Sequence, residues 1–229
     1  MQELPVITPL SEYAVLVRTG SELTPENNEQ VLALFRQLQL MHLPGLRDLI
    51  PAYNTLALVL DPDYLDRAAL KADPVVLVRH WIERALRSAR LSPPGPVCIE
   101  IPVCYNHPDT PDLSRLSELL GLAPEEIIRI HSAATYRVYM LGFLPGFPYL
   151  GLLDERLAAP RLERPRTRVP AGSVAVAGRQ TGIYPAASPG GWNLIGKTAV
   201  RLYDPAKEQP TLLQPGDFVR FIAVPELCV

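Results

Sequence analysis

The chain has 229 residues, of which 48% are hydrophobic, enough to form packed cores in one large domain or two small ones. Lysine and arginine total 22 against 24 aspartate and glutamate residues, and the net charge of −2 disfavours nucleic acid and anionic membranes as partners. Cys98, Cys104 and Cys228 form neither a CxxC motif nor an even disulfide framework, and the N-terminal residues lack a basic region followed by an apolar run. No apolar stretch has the length needed to cross a bilayer, so we expect a cytoplasmic globular protein.

The N-terminal part alternates strand and helix signals, which predicts a small α+β domain of order βαββαβ with two helices on one sheet face. Three runs have the composition of strands: residues 13–18, 46–50 and 55–60. Two helices are predicted from Thr-Pro and Asp-Pro cap signals, at residues 24–25 and 73–74. Each helix carries an apolar stripe: Val31, Leu34, Phe35 and Leu38 in the first, and Val78, Trp81, Ile82 and Ala85 in the second.

A Pro- and Gly-rich stretch, SPPGP at residues 92–96, predicts a connection between two domains that span residues 1–94 and 95–229. After a strand at residues 97–103, helices are expected to start at residues 110–111 and at Pro124. Short β runs separated by Gly and Pro turns follow: residues 137–141, 173–177, 198–203 and 217–224. This pattern predicts a mainly β second domain, a small barrel or a sandwich, with two short helices near its start.

The segment from Gly142 to Gly196 holds nine of the chain's 14 glycines. It reads, in order, GFLPGFPYLG, PRTRVPAGSVAVAG, QTGIYP and SPGGWNLIG. Glycine is used where the backbone needs a positive φ or where another group must come close. The segment is therefore expected to form tight turns and close backbone contacts that create a surface of defined shape.

These four motifs resemble the allophanate hydrolase subunit 1-like family of carboxyltransferase domains, of the subdomain C and D type, over about residues 99–224. Free-standing members of that family include a component of bacterial 5-oxoprolinase (PxpB) and the kinase inhibitor KipI. The resemblance implies a cyclophilin-like β-barrel preceded by a small α/β domain. One loop departs from the family, whose members commonly carry YGGxxGPDL where this chain has YNHPDTPDL at residues 105–113, so a shift in substrate or partner preference is expected.

Arg166 and Arg168 are the first candidates for anion binding, because residues two apart on an extended chain point to the same side. Two guanidinium groups on one side suit a carboxylate or a phosphate, whereas spacing alone leaves open that both are solvated charges. The turn at Gly190 and Gly191 could present backbone N–H groups to an anion, with Trp192 either as a flat wall or in the core. The family resemblance favours the binding role for the arginines.

Gln180, Thr181 and Tyr184 offer an amide, a hydroxyl and a phenol beside a glycine and a proline. Together they could orient a small polar ligand by several hydrogen bonds. The alternative is a loop held by its own side chains. We expect these three residues to contribute to substrate binding, on the strength of the resemblance.

The aromatic residues Phe143, Phe147 and Tyr149 could contact a partner protein or could be core residues. His131 falls in a motif that matches the family, HSAATYRVYMLGF. Near the site it could act as a general acid or base, and as the last basic residue of a helix it could simply complement the helix dipole.

Other catalytic patterns are missing from the sequence. His42, His80 and His107 lie in no HxH or HExxH motif, so no metal is predicted. Ser173 does not stand in a GxSxG elbow, and no GxxxxGK[ST] loop is present. The chain therefore lacks a recognisable nucleotide motif of its own.

The resemblance implies shared chemistry, in which a complex uses ATP to open the lactam of 5-oxo-L-proline to L-glutamate. It implies two partners: a second cyclophilin-like subunit of the KipA or PxpC type, and a LamB/YcsF subunit of the PxpA type. A regulator that inhibits the autophosphorylation of a sensor histidine kinase, as KipI does, is the alternative function. An accessory half of a urea or allophanate enzyme is a third reading, although the biotin carboxylase and amidase regions of those enzymes are absent from this sequence.

Overall fold

The computed structural model describes residues 5–67, 73–87 and 95–227. Within it the chain divides into two compact units, residues 1–95 and 96–229. Of the features considered above, residues 1–4, residues 92–94 of the SPPGP stretch and Cys228 lie outside the described residues.

The first unit is a four-stranded antiparallel sheet with helices on one face. Its strands lie in the order β1-β2-β4-β3. The strands are β1 (Val6–Ser11), β2 (Ala14–Arg18), β3 (Leu46–Ala52) and β4 (Thr55–Leu60). The helices are α1 (Pro25–Leu40), α2 (Pro62–Arg67) and α3 (Pro74–Arg87). Helix α1 packs on β3 and β4, α3 packs on β1 and β2, and the two helices contact each other.

Local sequence explains why these elements form. The Thr24 side chain accepts a hydrogen bond from the Asn27 backbone N–H at 3.2 Å, so it caps α1 as predicted, with proline in the first turn. On β2 and β4, alternate residues are fully buried and face the helices. In the register of these neighbouring strands, Val15 lies opposite Leu58. The apolar stripes of α1 and α3 cover this face.

The predicted α+β class of this unit is confirmed, but its order of elements differs. Strand β1 precedes the first predicted strand and was not expected. Among the described residues of the first unit the order is ββαββαα, so the strand expected after the second long helix is not part of this sheet. A strand near the predicted 97–103 does exist, but it belongs to the sheet of the second unit.

The second unit is mainly β, with two short helices near its start. The helices are α4 (Leu113–Leu120) and α5 (Pro124–Ala133), and a 3-10 turn covers Glu155–Leu157. The first strands are β5 (Cys98–Val103), β6 (Thr135–Leu141), β7 (Pro148–Gly151), β8 (Arg166–Val169) and β9 (Ser173–Ala177). The remaining strands are β10 (Gln180–Ile183), β11 (Ser188–Gly190), β12 (Asn193–Lys197) and β13 (Phe218–Ala223).

Seven of these strands form one sheet in the order β12-β9-β10-β7-β6-β13-β5, and β8 pairs with β11 in a small second sheet. Only the β13–β5 pair is parallel among the described ladders. The two edges of the large sheet meet where Cys104, just past β5, exchanges backbone hydrogen bonds with Lys197 of β12, at 2.8 and 2.9 Å. This meeting nearly closes the sheet into a barrel, and it confirms the predicted fold class.

Strand β9 is buried along its whole length and separates two apolar clusters. Val174 and Val176 face the main core inside the barrel. Ala175 and Ala177 face the opposite side, where they contact a second cluster that includes Phe147, Tyr184, Trp192 and Leu194. This short β run is therefore a buried strand of the large sheet, with apolar residues packed on both of its faces.

The start of α4 and one predicted strand need correction. Helix α4 begins at Leu113, two residues after the predicted Pro111, and it ends at Gly121 with a positive φ of 65°. The predicted strand at 198–203 does not form: only Tyr203 makes an isolated bridge, to Thr211. The Thr198 hydroxyl accepts the Val200 N–H at 3.2 Å, a local turn that diverts the chain after β12.

Candidate functional site

Five aromatic side chains form a cluster on the face of the large sheet that lies opposite the main core. They are Phe143, Phe147, Tyr149, Tyr184 and Trp192, and we call them the aromatic cluster. Phe147 is central, since its ring contacts the other four edge-to-face with centroids 5.0 to 5.5 Å apart. Edge-to-face contacts of this kind fix the rings relative to one another. The cluster is therefore a rigid apolar platform.

One member of the cluster stands out into solvent. Phe143 is 60% exposed and has a φ of +67°, a left-handed conformation that is uncommon for a residue with a bulky side chain. The flanking backbone holds this conformation, because Gly142 N–H donates to Phe147 O at 3.1 Å and Leu144 N–H donates to Gly142 O at 2.8 Å. The predicted partner-contact residues thus divide into exposed Phe143, part-buried Tyr149 and buried Phe147.

Polar groups gather around the Tyr184 hydroxyl at one side of the cluster. Burial raises the pKa of Tyr184, while a hydrogen bond from the Trp192 backbone and the positive charges of Arg161 and Arg166 act in the opposite direction. Gly190 makes room for this hydroxyl, because a Cβ atom at position 190 would lie 2.4 Å from it. The predicted residues Tyr184, Gly190, Trp192 and Arg166 therefore do come together.

Arg166 is anchored by a buried carboxylate. Its Nη2 donates to Asp112 Oδ1 at 2.6 Å, and Asp112 is only 4% exposed. The other amino group, Nη1, is buried and has no hydrogen-bond acceptor among the described residues. A guanidinium held on one side with a free donor on the other is suited to bind an oxygen anion.

The other predicted polar residues are distributed differently. Arg168 is exposed, and no hydrogen bond or ion pair to it is present among the described residues, so it does not join Arg166 at the tyrosine hydroxyl. Gln180 is part-buried at the start of β10, on the same side of that strand as Gly182, which lies against Phe147. Thr181 points the opposite way, into the barrel, and is fully buried.

His131 lies in the barrel core and cannot contact a ligand at the cluster. It is fully buried and stacks on Phe221 with ring centroids 4.6 Å apart. The Thr181 hydroxyl donates to Ala175 O at 3.1 Å and so accepts from His131 Nε2 at 2.9 Å, and the Tyr105 hydroxyl donates to Nδ1 at 2.7 Å. Burial lowers the pKa of His131 to about 3, which keeps the ring neutral. The geometry assigns it a structural role instead of proton transfer.

Two site residues were not anticipated from the sequence. Asp112 stands in the loop that departs from the family pattern, and it is 54 positions away from Arg166. Arg161 is exposed, and its positive charge acts to lower the pKa of both Tyr149 and Tyr184, against the raising effect of burial. Asp112 matches the aspartate of the family's YGGxxGPDL run, a signal that could have pointed to it, and the spacing of Arg161 from the later arginines could have suggested a cationic surface.

The described residues contain no group of three or more His, Cys, Asp and Glu side chains arranged to hold a metal ion. Among the described helices, none combines the length and the apolar character that crossing a bilayer requires.

Comparison with known proteins gives a consistent picture. The B subunit of 5-oxoprolinase from Bacillus subtilis (strain 168) is 40% identical over 225 residues, covering 96% of this chain and 93% of that protein. A crystal structure of the protein TTHA0988 superposes with a TM-score of 0.78 and 42% identity over 92% of this chain. This chain spans only 40% of the TTHA0988 chain.

A more distant structure supports the fold alone. The urea carboxylase of Kluyveromyces lactis matches with a TM-score of 0.74 at 19% identity, over 95% of this chain and 21% of that one. Residues 5–213 match the family described as carboxyltransferase domain, subdomain C and D. The chain therefore belongs to the carboxyltransferase subdomain C and D family.

Proposed function

We propose that this chain is a non-autonomous subunit of an ATP-dependent 5-oxoprolinase complex that opens 5-oxo-L-proline to L-glutamate. The observation that carries the proposal is the anchored guanidinium of Arg166, which has a free buried amino group and lies opposite Gly190 and hence near the Tyr184 hydroxyl of the aromatic cluster. Relatives at 40% to 42% identity over most of the chain are named as the B subunit of 5-oxoprolinase. The proposal therefore has two supports: the names of these relatives and a group of residues suited to binding an anion.

The chemistry of the substrate matches this surface. 5-Oxoproline is a small ring with a carboxylate, and its lactam resists hydrolysis because the amide is stabilised by resonance. Transfer of a phosphoryl group from ATP to the amide oxygen would add negative charge and activate the ring carbon, so that one water adds there and the C–N bond breaks to leave an acyl phosphate. A second water would then hydrolyse the acyl phosphate to glutamate and inorganic phosphate. Arg166 and Arg161 would hold the carboxylate or the phosphorylated oxygen, and Tyr184 would orient it. ATP supplies the driving force for the complex, and this chain's residues bind and orient the anion.

The proposed partners are a second cyclophilin-like subunit and a subunit of the LamB/YcsF type. The TTHA0988 chain is more than twice as long as its match to this chain, as expected if a relative carries a partner region covalently. Exposed Phe143 is the proposed contact for such a partner, because its ring extends the aromatic cluster to the surface.

Reconstitution tests the proposal. The chain is combined with the two proposed partner subunits, and ADP and glutamate formation are measured with and without 5-oxoproline. We expect turnover only when all three subunits are present. Glutamate release by this chain alone, or equal turnover when it is omitted, would contradict the assignment.

Variants of two arginines locate the binding surface within the complex. Arg166→Ala is expected to lower kcat/KM for 5-oxoproline at least tenfold, since a charge-assisted hydrogen bond is worth about 1.5 to 3 kcal/mol. Arg168→Ala is expected to have a smaller effect, because its guanidinium is exposed and lacks the buried anchor. Arg164→Ala, at another exposed arginine nearby, is the matched control. Wild-type kinetics for Arg166→Ala in an assembled complex would remove the anion-site assignment.

A second candidate function is inhibition of a sensor histidine kinase. The exposed ring of Phe143, held at a positive φ, favours a role in protein contact that requires no small-molecule substrate. The reconstitution separates the two functions, because a kinase regulator would leave 5-oxoproline turnover unchanged and would lower kinase autophosphorylation in a parallel assay.

A further inference from the structure

Asp112 joins two strands of the second unit through a buried carboxylate. It occupies the N-cap position of α4, yet its side chain makes no capping hydrogen bond to that helix. Instead Oδ1 accepts from Arg166 Nη2 at 2.6 Å, and Oδ2 accepts from the Leu194 backbone N–H at 2.7 Å. Both oxygens are thus engaged with residues of β8 and β12, and the residue is 4% exposed. The carboxylate serves the geometry of Arg166 and not the stability of its own helix.

The anchored guanidinium retains an unused amino group. Arg166 Nη1 is buried and has no hydrogen-bond partner among the described residues, although Nη2 of the same group is held by Asp112. A buried cationic donor without an acceptor costs free energy, and native proteins usually satisfy such groups. Because one amino group is already fixed, an incoming oxygen atom meets a guanidinium that has lost most of its rotamer freedom.

Neighbouring residues define which acceptor would fit there. Arg166 lies opposite Gly190 in the β8–β11 pair, and Gly190 in turn leaves space for the Tyr184 hydroxyl. The positive charges of Arg161 and Arg166 both act to lower the pKa of Tyr184 against the raising effect of burial, so the hydroxyl lies in a positive electrostatic field. Such a set of donors selects a small oxyanion, either a carboxylate or a phosphoryl group.

We propose that Asp112 is a positioning residue, which holds Arg166 so that Nη1 donates to an oxygen of the bound oxyanion. This inference deepens the proposed function and rests on it for the identity of the ligand. Under this proposal Asp112 affects ligand binding only through Arg166. A residue that merely supports the fold would affect binding independently of Arg166.

A double-mutant cycle tests this dependence. Asp112→Asn, Arg166→Ala and the double variant are assembled with the partner subunits, and binding of labelled 5-oxoproline without ATP is measured by equilibrium dialysis. A parallel arm uses labelled inorganic phosphate. We expect each single variant to weaken binding about tenfold and the double variant to bind no more weakly than Arg166→Ala, since coupled residues are not additive. A hundredfold loss in the double variant, or no loss in Asp112→Asn, would overturn the inference.

A second variant covers the case in which Asp112→Asn fails to assemble. Arg166→Lys keeps the charge that pairs with Asp112 but has no second amino group. It is expected to assemble normally and to bind as weakly as Arg166→Ala, and wild-type binding by Arg166→Lys would show that Nη1 does not contact the ligand.

The two arms separate this inference from the proposed function. If phosphate binds with the expected coupling while 5-oxoproline does not bind, the anion site and the role of Asp112 stand and the 5-oxoprolinase assignment falls. If 5-oxoproline binds and turns over but Asp112 and Arg166 act additively, the function stands and the positioning role falls.

Discussion

Replacement of His131 by glutamine should remove much of the pH dependence of stability below neutrality. The buried imidazole has a pKa of about 3 in the folded chain, whereas a histidine in the unfolded chain titrates near 6.5. Between these values the unfolded chain binds a proton that the folded chain does not, so stability falls as the pH drops through this window. Each pH unit below about 6.5 costs about 1.4 kcal/mol, or roughly 2 kcal/mol between pH 7 and pH 5.

The assay follows guanidinium unfolding of the second unit at pH 7 and pH 5. The chain has two tryptophans, and a Trp81→Phe background leaves Trp192 as the reporter for the second unit. Glutamine can still pair with Tyr105 or Thr181 but does not titrate, so His131→Gln should be less stable at pH 7 and lose about 2 kcal/mol less on acidification.

The control is His80→Gln, at an exposed histidine of α3 in the first unit, which should leave the unfolding of the second unit as it is in the parent at both pH values. A His131→Gln variant that loses as much stability between pH 7 and pH 5 as the parent would refute the reasoning, because it would mean that the imidazole is protonated in the folded chain.

Three further outcomes follow from the geometry. Gly190→Ala, which places a methyl group 2.4 Å from the Tyr184 hydroxyl, should weaken 5-oxoproline binding at least tenfold in dialysis, while Gly191→Ala, with its nearest neighbour at 3.5 Å, should not. Gly196→Ala should lower the free energy of unfolding by about 1 to 3 kcal/mol in chemical denaturation, because the new Cβ atom would lie 2.4 Å from a valine methyl of β5 where the barrel closes. Phe143→Ala should leave the unfolding midpoint nearly unchanged but weaken partner association in analytical ultracentrifugation, and an unchanged dissociation constant would exclude this surface as the contact.

Elements with strong local signals were predictable from the sequence. Helix ends depend on groups close in sequence: the Thr24 cap, the proline that opens α5 and Gly121 at the end of α4. A few consecutive residues are therefore enough to predict where these helices begin or end. Strand β1 was missed because its sequence shows no alternation of apolar and polar residues. In the structure its last four residues all stand exposed, so the strand has no buried face along most of its length.

The site was predictable in part, and the limit is distance along the chain. Glycines and aromatic residues of the segment 142–196 pointed to the surface on which the aromatic cluster lies. The contact between Asp112 and Arg166 depends on the barrel bringing α4 beside β8, which no local pattern encodes. His131 was ambiguous for the same reason, since its neutrality comes from burial in the assembled barrel, where its hydrogen-bond partners Tyr105 and Thr181 are far from it in sequence.

The small side chains of β9 have a consequence for how such a surface can change during divergence. Ala175 and Ala177 set the depth at which the rings of the aromatic cluster rest, while Val174 and Val176 of the same strand fill the barrel. Enlarging either alanine would push the rings outward and change the shape of this surface without altering any of the aromatic residues themselves. The shape of this surface can therefore be changed by methyl groups that are buried beneath it and hidden from solvent.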